Sequence, residues 1–97
     1  MSNDKPSKPK EVQLHFKDIP EAEQANFKMP ETATLQDAWD QAYVEMGVER
    51  GPNDVLQTAG GKPESMQGYL SYTLQRLKDE KIVSAFNFEI VAATGGA

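Results

Sequence analysis

Few residues in this chain can make or break bonds. There is no cysteine among the 97 residues, so the chain has no thiol nucleophile, thiolate metal ligand or disulfide of its own. His15 is the single histidine. One histidine in so small a domain supports neither a Ser/His/Asp set nor a zinc site. Gly60-Gly61-Lys62 fails as a phosphate loop, because Leu56 stands where the earlier glycine belongs and Pro63 where Ser or Thr belongs. Asp18, Glu21 and Glu23 cluster without calcium-loop spacing and read as a solvated turn. What remains is Gly95-Gly96, followed by Ala97. Glycine lacks Cβ, so such a backbone can extend and approach another surface closely. The carboxy-terminal end is therefore the candidate reactive segment, and the chain is not expected to be an enzyme or to hold a cofactor or metal.

Composition sets the frame for that tail. Ninety-seven residues make one domain. The net charge of −5 is uneven. Lys5, Lys8 and Lys10 face only Asp4 in residues 1–10, while the rest carries seven basic and fourteen acidic side chains. An acidic body repels phosphate backbones, which argues against nucleic acid. No apolar run spans a membrane, and the polar amino terminus lacks the apolar core of a secretory signal. A cytoplasmic monomer is the expectation. Residues 1–10 read as a disordered arm, 11–93 as the domain and 94–97 as a flexible tail.

The elements follow from periodicity. Val12, Leu14 and Phe16 alternate with Gln13, His15 and Lys17, predicting a half-buried strand over 11–17. Ala25, Phe27 and Met29 do the same over 24–29, so the two form a hairpin across the turn at 18–21. Leu35, Ala38, Trp39, Ala42, Tyr43 and Met46 form one apolar stripe at helical period. Thr34 and Asp37 supply an N-terminal cap and Gly47 a left-handed stop, predicting a helix over 35–46. Trp39 and Tyr43 are core residues on this reading. A short strand is expected at 54–58. Met66, Tyr69, Leu70, Leu74 and Leu77 predict a second helix over 65–80, with Gly68 weakening its first turn. Phe86, Phe88 and Ile90 predict a last strand over 83–92. Ile82, Ala85 and Val91 are candidate apolar residues for a partner surface. The fold class is α+β: a mixed sheet packed by helix 35–46, with the first and last strands parallel at its centre.

This order, closed by a strand that runs into Gly95-Gly96, resembles the ubiquitin-like (β-grasp) family over residues 11–96. It is most similar to bacterial ubiquitin-like modifiers that work with an activating enzyme, a conjugating enzyme and a JAB-type metalloprotease. The resemblance implies that the protease removes Ala97 and exposes Gly96. The Gly96 carboxylate is then adenylated with ATP, passed to a partner cysteine and joined to a target lysine. All catalytic groups would belong to partners. Two departures are plain. Helix 65–80 is longer than the corresponding segment of ubiquitin, and no arginine precedes the diglycine. The same tail also suits a sulfur carrier ending in a thiocarboxylate, and a non-conjugating β-grasp adaptor uses the fold without the chemistry.

Overall fold

The computed structural model describes residues 10–92. The expectations for residues 1–9 of the arm, for residue 93 and for the tail at 94–97 lie outside the described residues. Strand β1, Glu11–Asp18, and strand β2, Glu23–Pro30, form an antiparallel hairpin in register from Glu11↔Pro30 to Asp18↔Glu23. Helix α1 is Leu35–Met46 and strand β3 is Asp54–Thr58. A short 3₁₀ turn at Gln67–Tyr69 and helix α2, Leu74–Asp79, lead to strand β4, Asn87–Ala92. The sheet order is β2-β1-β4-β3. β4 lies parallel to β1 and antiparallel to β3. This is a small α+β domain with a four-stranded mixed sheet and two helices, an arrangement compatible with a β-grasp.

One face of the sheet carries the core. Leu14 and Phe16 of β1, Leu56 of β3 and Phe88 and Ile90 of β4 are fully buried under Leu35, Ala38, Trp39 and Ala42 of α1. The Phe16 ring contacts both Phe27 and Phe88, at centroid distances of 5.7 and 5.3 Å. Along β1 and β2 the other face is polar, and on β3 and β4 it also carries the Val55–Val91 pair. His15 sits between Asn26 and Asn87, and Lys17 between Gln24 and Glu89.

Helix α1 has the bounds its sequence predicts. Thr34 Oγ1 accepts from the Asp37 N–H, and Asp37 Oδ2 accepts from the Thr34 N–H. Gly47 closes the helix at φ 70°, with the Val48 N–H donating back to the Tyr43 carbonyl. That left-handed conformation is open to glycine at little cost.

The second predicted helix is corrected. Residues 65–80 are not one helix, because their carbonyls are used elsewhere. The Leu70 and Tyr72 carbonyls accept from Gln36 and Leu35 at the start of α1. The first N–H groups of α2, on Leu74 and Gln75, donate to Ala33 and Glu31. Thr73 then caps α2 through Oγ1 to the Arg76 N–H. Two helix starts thus satisfy each other's neighbourhood, which leaves no continuous ladder through 70–73. The last strand is also shorter than its predicted 83–92. Ile82 and Val83 both donate back to the Leu77 carbonyl and wrap the end of α2, with Lys81 left-handed at φ 59°. Pairing of β4 with β1 starts only at Asn87.

Candidate functional site

Gly95, Gly96 and Ala97, the residues predicted for conjugation and processing, lie outside the described residues. The structure does describe their anchor. Within β4, Phe88 and Ile90 point into the core while Glu89 and Val91 point to the open face. The strand is hydrogen-bonded on both sides, to β1 and to β3. Its last residue, Ala92, pairs with Asp54 and stands three positions before Gly95. β1 holds the strand over Asn87–Ile90 and β3 over Phe88–Ala92.

The surroundings of that end are polar and ordered. Asp54 Oδ2 accepts from the Tyr43 hydroxyl at 2.9 Å and from the Gly51 N–H at 2.8 Å. Trp39 Nε1 donates to the Tyr43 hydroxyl at 3.0 Å. Burial, and then the hydrogen bond to the Asp54 carboxylate, push the Tyr43 phenol well above its ordinary value. Tyr43 therefore stays a neutral donor. A Cβ on Gly51 would stand 2.9 Å from Asp54 Oδ1, so any other residue here requires the carboxylate to shift. The Arg50 guanidinium lies 4.2 Å from the Trp39 ring centroid and 4.7 Å from that of Tyr43, and pairs with Asp40. Trp39 and Tyr43 are core residues as expected, and they also brace the loop beside the end of β4.

Asp18 departs from expectation. In place of a solvated turn position, it is 1% exposed. It lies in phase with Leu14 and Phe16, so the strand's alternation carries it to the core face. Its Oδ1 accepts from the Glu21 N–H at 3.2 Å and closes the hairpin turn. Burial raises its carboxyl above the ordinary value, the Glu21 N–H opposes this, and the charges of Asp54 and Glu21 add to the rise. The next residue, Ile19, donates its N–H to the Ile90 carbonyl. The buried acid thus holds the turn that extends the β1–β4 ladder toward the tail. The period-2 pattern running Val12, Leu14, Phe16, Asp18 is the signal for this position.

The three candidate partner-surface residues do not come together. Ile82 packs on the core at the end of α2, and Ala85 precedes β4 in an exposed loop. Val91 alone lies on the open sheet face, paired with Val55. Ile19 and Val44 are the exposed large apolar side chains among the described residues. His15 Nδ1 meets Asn26 Oδ1, which occupies that ring nitrogen with an amide rather than a nucleophile. Among the described residues no three His, Asp or Glu side chains gather as a metal set, and no helix is long and apolar enough to cross a membrane.

Two open grooves lie at the other end of the sheet. One, of about 250 Å³, is bordered by Thr58, Lys62 and Ser84. The second, of about 560 Å³, separates the start of β1 from α2 and the Ser84–Phe86 segment. Neither touches the end of β4. No family model, curated protein or solved structure matches the chain.

Proposed function

We propose that this chain is a ubiquitin-like protein modifier whose reactive end is Gly96. The observation that carries the reading is the position of β4. It is an inner strand, parallel to β1, and it runs to Ala92 just ahead of Gly95-Gly96. Ala93 to Gly96, fully extended, reach about 13–14 Å. That length lets the end carboxyl enter a partner's cleft while the folded body stays outside. Small residues at every tail position except Thr94 keep the segment narrow.

The chemistry follows. After removal of Ala97, the Gly96 carboxylate attacks the α-phosphate of ATP in an activating enzyme and pyrophosphate leaves. A partner cysteine thiolate attacks the acyl carbon of this adenylate, AMP leaves, and a thioester forms. A target lysine amine then displaces the thiol and forms an isopeptide bond. Splitting acyl transfer this way replaces one hard step with easier ones. The modifier contributes an acyl group and a recognition surface.

Mass spectrometry of the protein recovered from its own cells tests this. The reading predicts chains ending at Gly96 and lysine peptides branched through Gly96. Sulfur in place of oxygen at Gly96 would identify a thiocarboxylate carrier. Intact Ala97 in every molecule, with no branched peptide, would identify an adaptor.

A further inference from the structure

The turn between β1 and β2 gathers several unfavourable features in one short segment, residues 18–23. Asp18 is a carboxylate only 1% exposed, and among the described residues its one hydrogen bond is the 3.2 Å contact from the Glu21 N–H. Ala22 is left-handed at φ 57°, a region that crowds any side chain with a Cβ. Ile19 leaves a large apolar side chain 44% exposed. The charges around Asp18 are negative: Glu21 in the turn, Glu23 opposite it on β2 and Asp54 at the start of β3. β4 sets the apolar Ile90 level with it, and from α1 the Tyr43 hydroxyl reaches this pole as a neutral donor to Asp54. Lys17, its neighbour on β1, projects from the opposite face of the sheet. No salt bridge reaches Asp18 among the described residues.

This same turn supplies the bond that ends the described β1–β4 ladder. The Ile19 N–H donates to the Ile90 carbonyl at 3.0 Å, and beyond that point β4 is paired only with β3, as far as Ala92. We propose that residues 18–23 form a proton-operated latch on the end of β4: it stays closed while Asp18 is protonated, and it opens more often, breaking the Ile19–Ile90 bond, when Asp18 is ionised. An open latch bares the Ile90 carbonyl and leaves Val91 and Ala92 held by β3 alone. Its use, setting how firmly the root of the tail is held, rests on the modifier reading, whereas the latch itself acts without a partner.

The direction follows from proton linkage. An opened turn returns the carboxyl to water and to its ordinary value of 3.8, while burial in the closed turn holds it higher. Below 3.8 both forms carry the proton and the latch is tightest. As pH rises from there through the raised value, the open form ionises first and its fraction grows. Above the raised value the fraction levels off.

Amide hydrogen exchange of the complete 97-residue chain, followed by NMR from about pH 3 to about pH 7 and expressed as protection factors, tests the latch. The reporter is the Ile19 N–H. The control is the His15 N–H, which bonds the Phe86 carbonyl at 2.9 Å at the other end of the same ladder. The latch predicts that Ile19 loses protection relative to His15 as pH rises. Asp18→Asn abolishes that loss, because the amide keeps an acceptor for the Glu21 N–H and has no proton to give up in this range. Ala22→Gly, which relieves the left-handed position, should raise Ile19 protection roughly fivefold at each pH and leave the pH dependence in place. Ile19 and His15 moving together would mean that the domain opens only as a whole, and would overturn the proposal. So would Ile19 protection that rises with pH, a pH dependence that survives Asp18→Asn, or an Ala22→Gly chain that protects Ile19 no better. Failure here is distinct from failure of the modifier reading, which shows in the masses of cell-derived protein.

Discussion

The two ends of the sheet are built on different principles. Toward the end of β4, β1 pairs with it as far as Ile90 and β3 as far as Ala92, and carboxylates are hydrogen-bonded: buried Asp18 to the turn, half-buried Asp54 to Tyr43 and Gly51. At the end where β1 begins, β4 has not yet started, backbone edges are open and both grooves are found. The first end holds β4 between two strands, and the second is open. On the proposed modifier reading, the former is the end that hands the terminus to a partner.

The largest test of this contrast is the strand itself. Phe88→Ala removes a fully buried ring that packs on Phe16. It should cost about 3–5 kcal/mol in urea unfolding. A cost under about 1 kcal/mol would mean β4 is not the clamped element described above. Asp54→Ala should rank second. It leaves the Tyr43 hydroxyl and the Gly51 N–H without their acceptor, which predicts a loss of about 2–3 kcal/mol and altered Trp39 fluorescence. If the loss matches that of an exposed control such as Glu64→Ala, the network at the tail end is not structural.

At the other end, Thr34→Ala removes the α1 cap beside the junction with α2. It should cost about 1 kcal/mol, measured by thermal unfolding. The smallest effect is expected from Asp18→Asn, and it depends on pH. Folding raises the Asp18 carboxyl above its ordinary value of 3.8. The folded state therefore keeps this proton to higher pH than the unfolded chain does. The ionised group lowers stability above the raised value, and that penalty shrinks as pH falls through the raised value and is gone below 3.8. The amide oxygen of the substituted asparagine still accepts from the Glu21 N–H, so the variant should be slightly the more stable at pH 7 and lose that advantage in acid. An advantage that grows in acid reverses the sign and contradicts the buried, destabilised carboxylate.

These elements differ in how far sequence revealed them. Helix α1 carries all its instructions locally: a reciprocal cap at Thr34 and Asp37, an unbroken apolar stripe and a glycine stop. Its limits were legible for that reason, as was β3. The parallel pairing of β1 and β4 followed from the long segments between two regular strands. The segment 65–80 has the same apolar spacing, but what breaks it is a set of hydrogen bonds to residues 31–36, far away in sequence. Local spacing has no access to such partners. Val83 shows a related limit. Its apolar side chain is buried, though against the end of a helix rather than in a strand. Asp18 was legible by its phase and misleading by its type, since carboxylates are rarely buried without a partner. The Trp39–Tyr43–Asp54 network was beyond reach because α1 and β3 meet only in the fold. For the candidate site, the diglycine stood in the sequence, whereas the groove beside Lys10 depends on where β4 begins.

The most direct test of the central claim is the single substitution Gly96→Val, expressed in the protein's own cells and followed by immunoblotting for higher-mass adducts. Valine is β-branched and fills the space that a narrow channel leaves to a bare backbone. The account predicts that the adduct ladder of the natural chain disappears while the amount of folded protein is unchanged. An undiminished ladder from the Gly96→Val chain would contradict it, because the bond to targets would then be made through some other group.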